Sequence, residues 1–217
     1  MMIFSRLAIW SDDSPRTATA QMAVDESLLR LDGPPILRIY RWAEPAVTFG
    51  YAQRARDAQA LSAGRPLVRR WTGGGVVFHG CDLTLCLAVP PSHSLASGRT
   101  DRIYRQIHEA LLEALRPEVP AARLATPPDC LPGAACFASP ALHDILASNT
   151  KICGGALRRG KLGVLYQGSL HAVLSPDQLG CALADRWTIT RELPDVEPQA
   201  RELDRGRYAT AAWTLLR

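Results

Sequence analysis

The spacing of apolar positions predicts a chain in which strands and helices follow one another. Residues 100–116 carry apolar side chains at intervals of three and four, the spacing of one buried helix face, and Pro117 ends the segment. Residues 36–42 alternate apolar and polar side chains, as a half-buried strand does, whereas residues 83–89 are almost continuously apolar. The pattern therefore predicts a protein of the α/β class.

Weaker signals complete the series of elements. Thr17 or Thr19 is suited to cap a helix that runs to about Leu31. Ser175, followed by proline, marks the start of another helix, which we expect to reach about Ala184. The remaining predictions are a helix at 53–62, strands at 46–51, 66–68 and 76–78, and loops at 90–98 and 119–133.

Composition is that of one globular domain. The chain has 217 residues, of which 47% are hydrophobic, and this is enough to fill one sizeable core. We therefore predict that residues 1–217 form a single domain without a C-terminal accessory domain. The 25 basic and 21 acidic residues leave a net charge of +4 without any long run of lysine or arginine, so nucleic acid binding is not indicated.

The sequence carries neither a complete secretory signal nor a membrane-spanning stretch. The apolar N-terminus turns polar at Ser11, before a signal peptide could be completed. No apolar stretch reaches the about 20 residues that a membrane-spanning helix needs. The cytoplasm is the expected location, and no membrane partner is expected.

Six cysteines are present, and their spacing does not match a metal site. They include no Cys-x-x-Cys pair and no zinc-ligand spacing, so no metal is predicted. In a reducing compartment they should be free thiols, and most of them, including Cys86, Cys153 and Cys181, are expected to be small buried hydrophobes.

Residues 69–79 carry the first pattern that indicates a binding site. They read Arg-Arg-Trp-Thr-Gly-Gly-Gly-Val-Val-Phe-His, so three glycines are predicted to join two strands in a hairpin, with arginines before them and His79 after them. Consecutive N–H groups in a glycine-rich turn can form a concave site for a carboxylate or a phosphate. The same residues also fit an ordinary hairpin flanked by solvated arginines, so this segment alone does not decide the matter.

A second segment favours the functional interpretation. Residues 151–159 read Lys-Ile-Cys-Gly-Gly-Ala-Leu-Arg-Arg, and residues 163–170 read Gly-Val-Leu-Tyr-Gln-Gly-Ser-Leu. Together with the first motif they resemble the catalytic domain shared by lipoate-protein ligases, octanoyltransferases and biotin-protein ligases. The signatures of that superfamily are similar to Arg-Arg-x-(Ser/Thr)-Gly-Gly-(Gly/Arg)-Ala-Val-x-His and Lys-(Ile/Val)-x-Gly-(Ser/Ala)-Ala-Gln, followed by His-(His/Gln)-Gly-(Ser/Thr). Smaller similarities extend from about Gln21 to Leu174.

The resemblance implies a mixed β-sheet flanked by helices and assigns roles to individual residues. Lys151 matches the family lysine, which would stabilise negative charge on a phosphate or on the oxygen of a tetrahedral acyl intermediate. The residues implied to bind substrate are Arg70, Thr72, Gly73, Gly74, Gly75, His79, Gly154 and Gly168. A tunnel for an apolar acyl chain is also implied, because burial contributes about 0.8 kcal/mol per methylene.

Cys136 bears on which branch of the superfamily the chain resembles. Residues 135–140 read Ala-Cys-Phe-Ala-Ser-Pro and resemble the Cys-Phe-x-x-Pro segment of cysteine-dependent octanoyltransferases. In that branch the cysteine carries the acyl group as a thioester, and an ammonium such as that of Lys151 would stabilise its thiolate. Residues 82–84, Asp-Leu-Thr, also look like the Glu-Leu-Thr of that branch. The alternative is that Cys136 is one more packing residue.

Several positions depart from the family signatures. The glycine at position 75 is the residue type that the ligases carry there, rather than that of the cysteine-dependent branch. Gly80 and Cys81 stand where His-Asp is usual, so an acidic residue is missing unless Asp82 replaces it. The other departures are Leu157 for glutamine, Tyr166 for histidine and Asn149-Thr150 for Gly-(Arg/Lys).

The resemblance therefore predicts an acyltransferase of protein lipoylation. The donor would be octanoyl-acyl-carrier protein, the acceptor a lysine of a lipoyl domain or of a glycine-cleavage H-type protein, and Cys136 the intermediate acyl carrier; no cofactor is expected. One alternative is an ATP-dependent lipoate-protein ligase, which would use ATP and Mg and no cysteine nucleophile, and a biotin-protein ligase is a weaker one. Another is a relative that binds lipoyl domains without turnover.

Overall fold

The computed structural model describes residues 2–130, 139–192 and 194–216. The strands are β1 Leu7–Asp12, β2 Ile36–Tyr40, β3 Ala46–Phe49, β4 Leu67–Arg69, β5 Val77–His79, β6 Leu83–Val89, β7 Arg123–Leu124, β8 Ile145–Ala147, β9 Thr150–Gly160, β10 Gly163–Leu170 and β11 Trp187–Thr190. The helices are α1 Ala18–Ser27, α2 Ala55–Ser62, α3 Thr100–Leu115, α4 Pro176–Leu183, α5 Glu197–Leu203 and α6 Ala211–Thr214. Short 3-10 turns cover Leu28–Arg30, Ser94–Ser97 and Pro127–Asp129, and a π-turn covers Asp204–Tyr208.

Eight of the described strands form one mixed sheet in the order β11-β1-β2-β6-β10-β9-β8-β7. Strands β11, β1 and β2 pair in parallel, and the other neighbours are antiparallel. A smaller sheet has the order β4-β3-β5. The predicted fold class, a mixed sheet flanked by helices, is confirmed.

The large sheet carries an apolar layer on each face. On one face Leu85 and Leu87 of β6 pack with α3 and α4, and on the other face Cys86 and Ala88 pack with α1 and α5. The predicted apolar stripe of α3 lies in the first layer: Ile103, Ile107, Leu111, Leu112 and Leu115. Because both faces are covered, β6 is buried along its whole length, which explains its continuous apolar sequence.

Strand β2 is not half-buried, contrary to the prediction. Its polar residue Arg38 is fully buried in the layer beneath α1. The guanidinium donates to Asp12 Oδ2 at 2.8 Å and to Asp25 Oδ1 at 2.6 Å, and it also bonds the Gln21 side chain. The alternating sequence of β2 does not reveal that Arg38 belongs to a buried ion-pair cluster, because its two carboxylate partners come from β1 and α1.

The glycine segment does not form a hairpin, which corrects a second prediction. Strands β4 and β5 pair with β3 from opposite sides, β4 in parallel and β5 antiparallel, so residues 70–76 form a loop that crosses the end of β3. We call residues 70–76 the glycine loop. Gly50 permits the crossing, since a Cβ there would lie 2.0 Å from the carbonyl oxygen of Gly74.

The predicted helix starts are confirmed, whereas the cysteine prediction is partly wrong. Thr17 caps α1 by accepting the amide of Ala20, and Ser175 caps α4 in a capping box. Of the described cysteines, Cys86 and Cys153 are buried, Cys130 is half-buried, and Cys81 and Cys181 are exposed, so Cys181 is not a core residue. Among the described helices, none has the length and apolar character needed to cross a membrane.

Candidate active site

A cavity of about 310 Å³ brings the two motif segments together. The predicted site residues that line it are Arg70, Gly74, Gly75, His79, Lys151, Gly154 and Gly168. Thr72 and Gly73 lie outside this lining. Cys136 lies outside the described residues, but Ser139 and Pro140, which follow it by three and four positions, line the cavity. Segments that are more than 60 residues apart in the chain therefore share one site.

Strands β9 and β10 place the second motif at the cavity by antiparallel pairing. In their register Gly154 faces Ser169 and Gly155 faces Gly168. Small residues face each other here because the Tyr166 ring lies over this pair: a Cβ at Gly155 or at Gly168 would come within 2.5 Å of its atoms. The Tyr166 side chain, a departure from the family signature, thus occupies the space that the two glycines leave.

Lys151 presents its ammonium group at the cavity wall. Its Nζ atom lies 2.8 Å from Asp144 Oδ2, and the two side chains are 12% and 1% exposed. The lysine side chain folds back over Gly154, where a Cβ would lie 2.1 Å from Cε and 2.5 Å from Nζ. Glycine at position 154 therefore makes room for the lysine side chain, which explains physically why the motif pairs the two residues.

Arg70 holds the shape of the glycine loop. One guanidinium nitrogen donates to the carbonyl oxygens of Gly73 and Gly75, at 2.9 and 2.8 Å, and the other donates to the Thr48 hydroxyl at 2.6 Å. Of the three glycines only Gly74 has a positive φ, +83°. These contacts give Arg70 a structural task within the cavity wall in addition to any contact with a ligand.

His79 belongs to a buried hydrogen-bonded group on the same wall. Its Nδ1 atom lies 2.9 Å from Asp82 Oδ2, and its Nε2 atom lies 2.8 Å from the Thr48 hydroxyl. The ring stacks on Trp42 at 4.1 Å between centroids. Because a carboxylate only accepts and Arg70 already donates to Thr48, the histidine carries its proton on Nδ1 and accepts from Thr48 on Nε2.

The charge states of this group follow from its surroundings. Burial lowers the pKa of His79, with Asp82 opposing that effect, so the ring is neutral near pH 7. Burial raises the pKa of Asp82, but the hydrogen bonds from His79 and Ser169 outweigh it and hold that pKa well below its usual range. Asp82 is therefore the acidic partner of His79, whereas the family signature has its acidic residue at position 81.

Thr72 and Gln167 connect the cavity to the buried ion-pair cluster. The Thr72 hydroxyl donates to Gln167 Oε1 at 2.7 Å, and Gln167 Nε2 donates to Asp25 Oδ2 at 2.7 Å. Asp25 in turn binds Arg38. Thr72 therefore links the glycine loop to the buried ion-pair cluster. Gln167 lines the cavity and is held in one orientation, because its oxygen accepts from Thr72 and its nitrogen donates to Asp25.

His108 is a core histidine that lies near the site but outside the cavity lining. It is fully buried, and burial lowers its pKa to about 4, which keeps the ring neutral. Its Nε2 atom lies 2.9 Å from the Tyr166 hydroxyl, and the ring stacks on Tyr104 at 4.1 Å. Its Nδ1 atom has no hydrogen-bond partner among the described residues.

The rest of the cavity lining is mainly apolar, which suits an apolar ligand with one polar end. The apolar lining residues are Met22, Tyr40, Trp42, Val76, Val77, Pro140, Ala141 and Ala156. Polar side chains, including Lys151, Arg70 and Gln167, lie among them and could orient a ligand, as polar groups do in small-molecule sites. Among the described residues no group of three His, Cys, Asp or Glu side chains could hold a metal ion.

Sequence reasoning missed several residues of the site. Trp42, Thr48 and Asp144 line the cavity, yet they were not among the predicted site residues. Thr48 and Trp42 lie in segments that resemble the family. The resemblance could therefore have pointed to these two residues, but it gave neither of them a role in the site. Asp144 carried no signal, because its importance comes from an ion pair with Lys151 that forms across the β8–β9 turn.

Comparison with known proteins identifies the family to which the chain belongs. Residues 17–194 match the family model described as lipoyl protein ligase A/B catalytic domain. The octanoyltransferase LipM of Kyrpidia tusciae is 36% identical over 186 residues, and that of Staphylococcus aureus is 32% identical over 178 residues. These alignments cover 77% and 73% of this chain but 66% and 63% of the relatives, so the chain spans slightly less than two thirds of the length of these curated relatives.

Solved structures agree on the fold. A lipoate-protein ligase A crystallised with ATP has a TM-score of 0.71 at 24% identity, over 98% of both chains. A chain from a bi-partite lipoate protein ligase and its E2 lipoyl domain, from Thermoplasma acidophilum, has a TM-score of 0.65 at 23% identity, over 98% of this chain and 96% of that one. At these identities the likeness shows the fold alone. The family match spans most of the chain and includes both segments that line the cavity, so the chain belongs to the lipoyl protein ligase A/B catalytic domain family.

Proposed function

We propose that this chain transfers an octanoyl group from octanoyl-acyl-carrier protein to a lysine of a lipoyl-domain or H-type acceptor protein. The observation that carries the proposal is the position of the Lys151 ammonium at the wall of a mainly apolar cavity, beside the residues that follow Cys136. The identity to curated octanoyltransferases supports the transferase over the ligase alternative. The acceptor class is supported by the archaeal ligase structure, which includes an E2 lipoyl domain.

In the proposed first step the Cys136 thiolate attacks the thioester carbonyl of the donor. The new C–S bond forms as the carbonyl π-bond opens, and the resulting oxyanion is stabilised by the Lys151 ammonium. The tetrahedral intermediate then expels the thiolate of the carrier protein, which leaves an octanoyl thioester on Cys136. In the second step the neutral amine of the acceptor lysine attacks this thioester, the amine proton passes to water, and the C–S bond breaks to release the Cys136 thiolate.

The apolar part of the cavity would hold the acyl chain. Val76, Val77 and Ala156 line it, whereas the charged wall lies at Lys151. An octanoyl group contains six methylenes, so its full burial would contribute about 5 kcal/mol at about 0.8 kcal/mol each. Most of the affinity for the acyl group would therefore come from its tail, and the ammonium would act on the carbonyl during the reaction. No cofactor takes part in this route.

Intact-protein mass spectrometry tests the proposal directly. We expect an octanoyl adduct after mixing the protein with octanoyl-acyl-carrier protein without ATP, and we expect hydroxylamine to remove it, because a thioester is labile to that reagent and an amide is not. The chain contains two lysines, so a stable amide adduct can be mapped readily. The Cys136→Ser variant should lose the labile adduct, whereas Cys181→Ser, at an exposed cysteine outside the cavity lining, should keep it.

Other outcomes distinguish the alternatives. An acyl-adenylate formed from lipoate and ATP, with no labile adduct, would identify a ligase and return Cys136 to a packing role. Binding of a lipoyl domain with neither product would indicate a relative without turnover. An adduct that survives in Cys136→Ser would contradict the assignment of the nucleophile.

A Gly154→Ala substitution should slow the reaction. The added methyl group would displace the flexible end of Lys151 from the cavity wall, so we expect kcat to fall about 10- to 100-fold through misplacement. The matched control is Gly160→Ala on the same strand, where a Cβ meets nothing within 4 Å. Initial rates and thermal melting of both variants check this, and wild-type kcat in Gly154→Ala would show that the position of Lys151 is not critical.

A further inference from the structure

The Asp144 carboxylate lies beside the Lys151 ammonium and makes three polar contacts within the protein. Its Oδ2 atom accepts the amide of Ala141 at 2.6 Å and lies 2.8 Å from the Lys151 ammonium. Its Oδ1 atom accepts the hydroxyl of Tyr104. The side chain belongs to the cavity lining but is only 1% exposed.

Tyr104 ties this carboxylate to the same strand that carries Lys151. The Tyr104 hydroxyl oxygen accepts the amide of Gly155 at 2.9 Å while its proton goes to Asp144. Lys151 and Gly155 both belong to β9, and Tyr104 belongs to α3. The carboxylate, the tyrosine and the strand therefore form a closed set of contacts that leaves the lysine little freedom.

The backbone around Asp144 is also held in an uncommon form. His143, directly before it, has φ of 72°. Ser148 and Asn149, at φ of 48° and 65°, form the two-residue β8–β9 hairpin turn, in which positive φ is usual. The pairing of β8 with β9 shifts its register between Ile145 and Leu146. Non-glycine residues rarely take positive φ, and such positions cluster where a site requires one particular geometry. Here that geometry directs Asp144 at Lys151.

We propose that Asp144 is the positioning residue of the site, which holds the Lys151 ammonium over Gly154 and at the cavity wall. Without the carboxylate the flexible lysine would sample several rotamers, and its charge would meet the reacting carbonyl only part of the time. The proposal rests on the proposed function for its effect on rate. The contact between the two residues can be tested without any turnover.

Asp144→Asn isolates the ion pair. The asparagine oxygen can still accept the Ala141 amide and its NH₂ group can still donate to the Tyr104 oxygen, so the variant removes the charge and keeps the shape. Glu26→Gln is the matched control. Glu26 is an equally buried carboxylate that binds Arg207 and the Tyr208 hydroxyl, and it lies outside the cavity lining.

Competitive labelling of the two lysines with trace acetic anhydride, read by mass spectrometry, gives the direct test. Lys161 is exposed and serves as the internal reference. In the wild type the ion pair should protect Lys151, and Asp144→Asn should raise the ratio of Lys151 to Lys161 labelling severalfold, whereas Glu26→Gln should leave it unchanged. An unchanged ratio in Asp144→Asn would overturn the proposal, whatever the activity of the protein.

Steady-state kinetics give the second readout. We expect Asp144→Asn to lower kcat about 100-fold with little change in KM, as misplacement of a catalytic group does. An equal fall in Glu26→Gln would show a general effect of buried charge and overturn the positioning role. Absence of the thioester adduct in the wild type would instead be a failure of the proposed function, because the labelling ratio would still report the ion pair.

A double-variant comparison covers the case in which Asp144→Asn does not fold. Lys151→Met/Asp144→Asn removes both charges at once and leaves no unpaired buried ion. If Asp144 acts through Lys151, this double variant should match the residual rate of Lys151→Met alone. A further fall of more than about threefold would show that Asp144 acts independently and overturn the proposal.

Discussion

A Lys151→Met variant is expected to transfer acyl groups at about one thousandth of the wild-type kcat, with a nearly unchanged KM for the acyl donor. The ammonium lies at the wall of a mainly apolar cavity, where a fixed donor interacts strongly with a developing oxyanion. The apolar lining that would hold the acyl chain is not altered by the substitution. Single-turnover rates of thioester formation, measured at saturating donor, check the expected loss.

Lys161→Met is the matched control for this prediction. Lys161 is the other lysine of the chain and is exposed in the turn between β9 and β10, so its loss should change kcat by less than about twofold. The melting temperature of Lys151→Met must be measured as well, because the variant leaves Asp144 buried without this cation. A folded variant that keeps more than a tenth of the wild-type kcat would contradict the proposed role.

The largest effect on stability is expected at Arg38. Arg38→Met should lower the free energy of unfolding by about 3–5 kcal/mol, because two buried carboxylates, Asp12 and Asp25, lose a shared cation. For a chain of this size that corresponds to a fall in Tm of roughly 6–20 °C. Denaturant unfolding followed by circular dichroism measures it, and Arg41→Met, at an exposed arginine three positions along, should change the free energy by less than about 0.5 kcal/mol.

The effect of Arg38→Met should depend on pH in a defined direction. Burial raises the pKa of Asp12, but the bonds from Arg16 and Arg38 outweigh it, and the net pKa is lowered in the folded protein. A lowered pKa stabilises the fold above the unfolded pKa of about 3.9, and this contribution is lost as the pH falls through the folded pKa. Arg38→Met removes part of it, so the difference from the wild type should be largest near neutral pH and shrink in acid. A difference that grows in acid would contradict this account.

The reach of sequence reasoning is clearest in α3 and β6. The three-and-four spacing of apolar residues in α3 and the continuous apolar run of β6 predicted both elements within one residue of their ends. Both signals are local, since periodicity reports which face of an element is covered. The two motifs, in turn, predicted the family, and the structure gives one physical reason for their pattern: a Cβ at Gly154 would collide with the Lys151 side chain. The single-domain boundaries and the role of Cys136 stay predictions.

The contacts that build the site depend instead on strands that are distant in the chain. The glycine loop was expected to close a hairpin, but β3 lies between its two flanking strands, and no local pattern records that insertion. The buried position of Arg38 depends on carboxylates from β1 and α1. Likewise, Asp82 reaches His79, and Asp144 reaches Lys151, only once the turns between them have formed.

Local periodicity and glycine placement thus specified the elements and the family, because both depend on neighbours in the chain and on the space that one residue occupies. The partners of the buried charges were specified only when the sheets assembled, because an ion pair needs two groups within a few ångströms and either may come from any part of the chain. In this protein the lysine was visible in the sequence, and the carboxylate that orients it became visible in the fold.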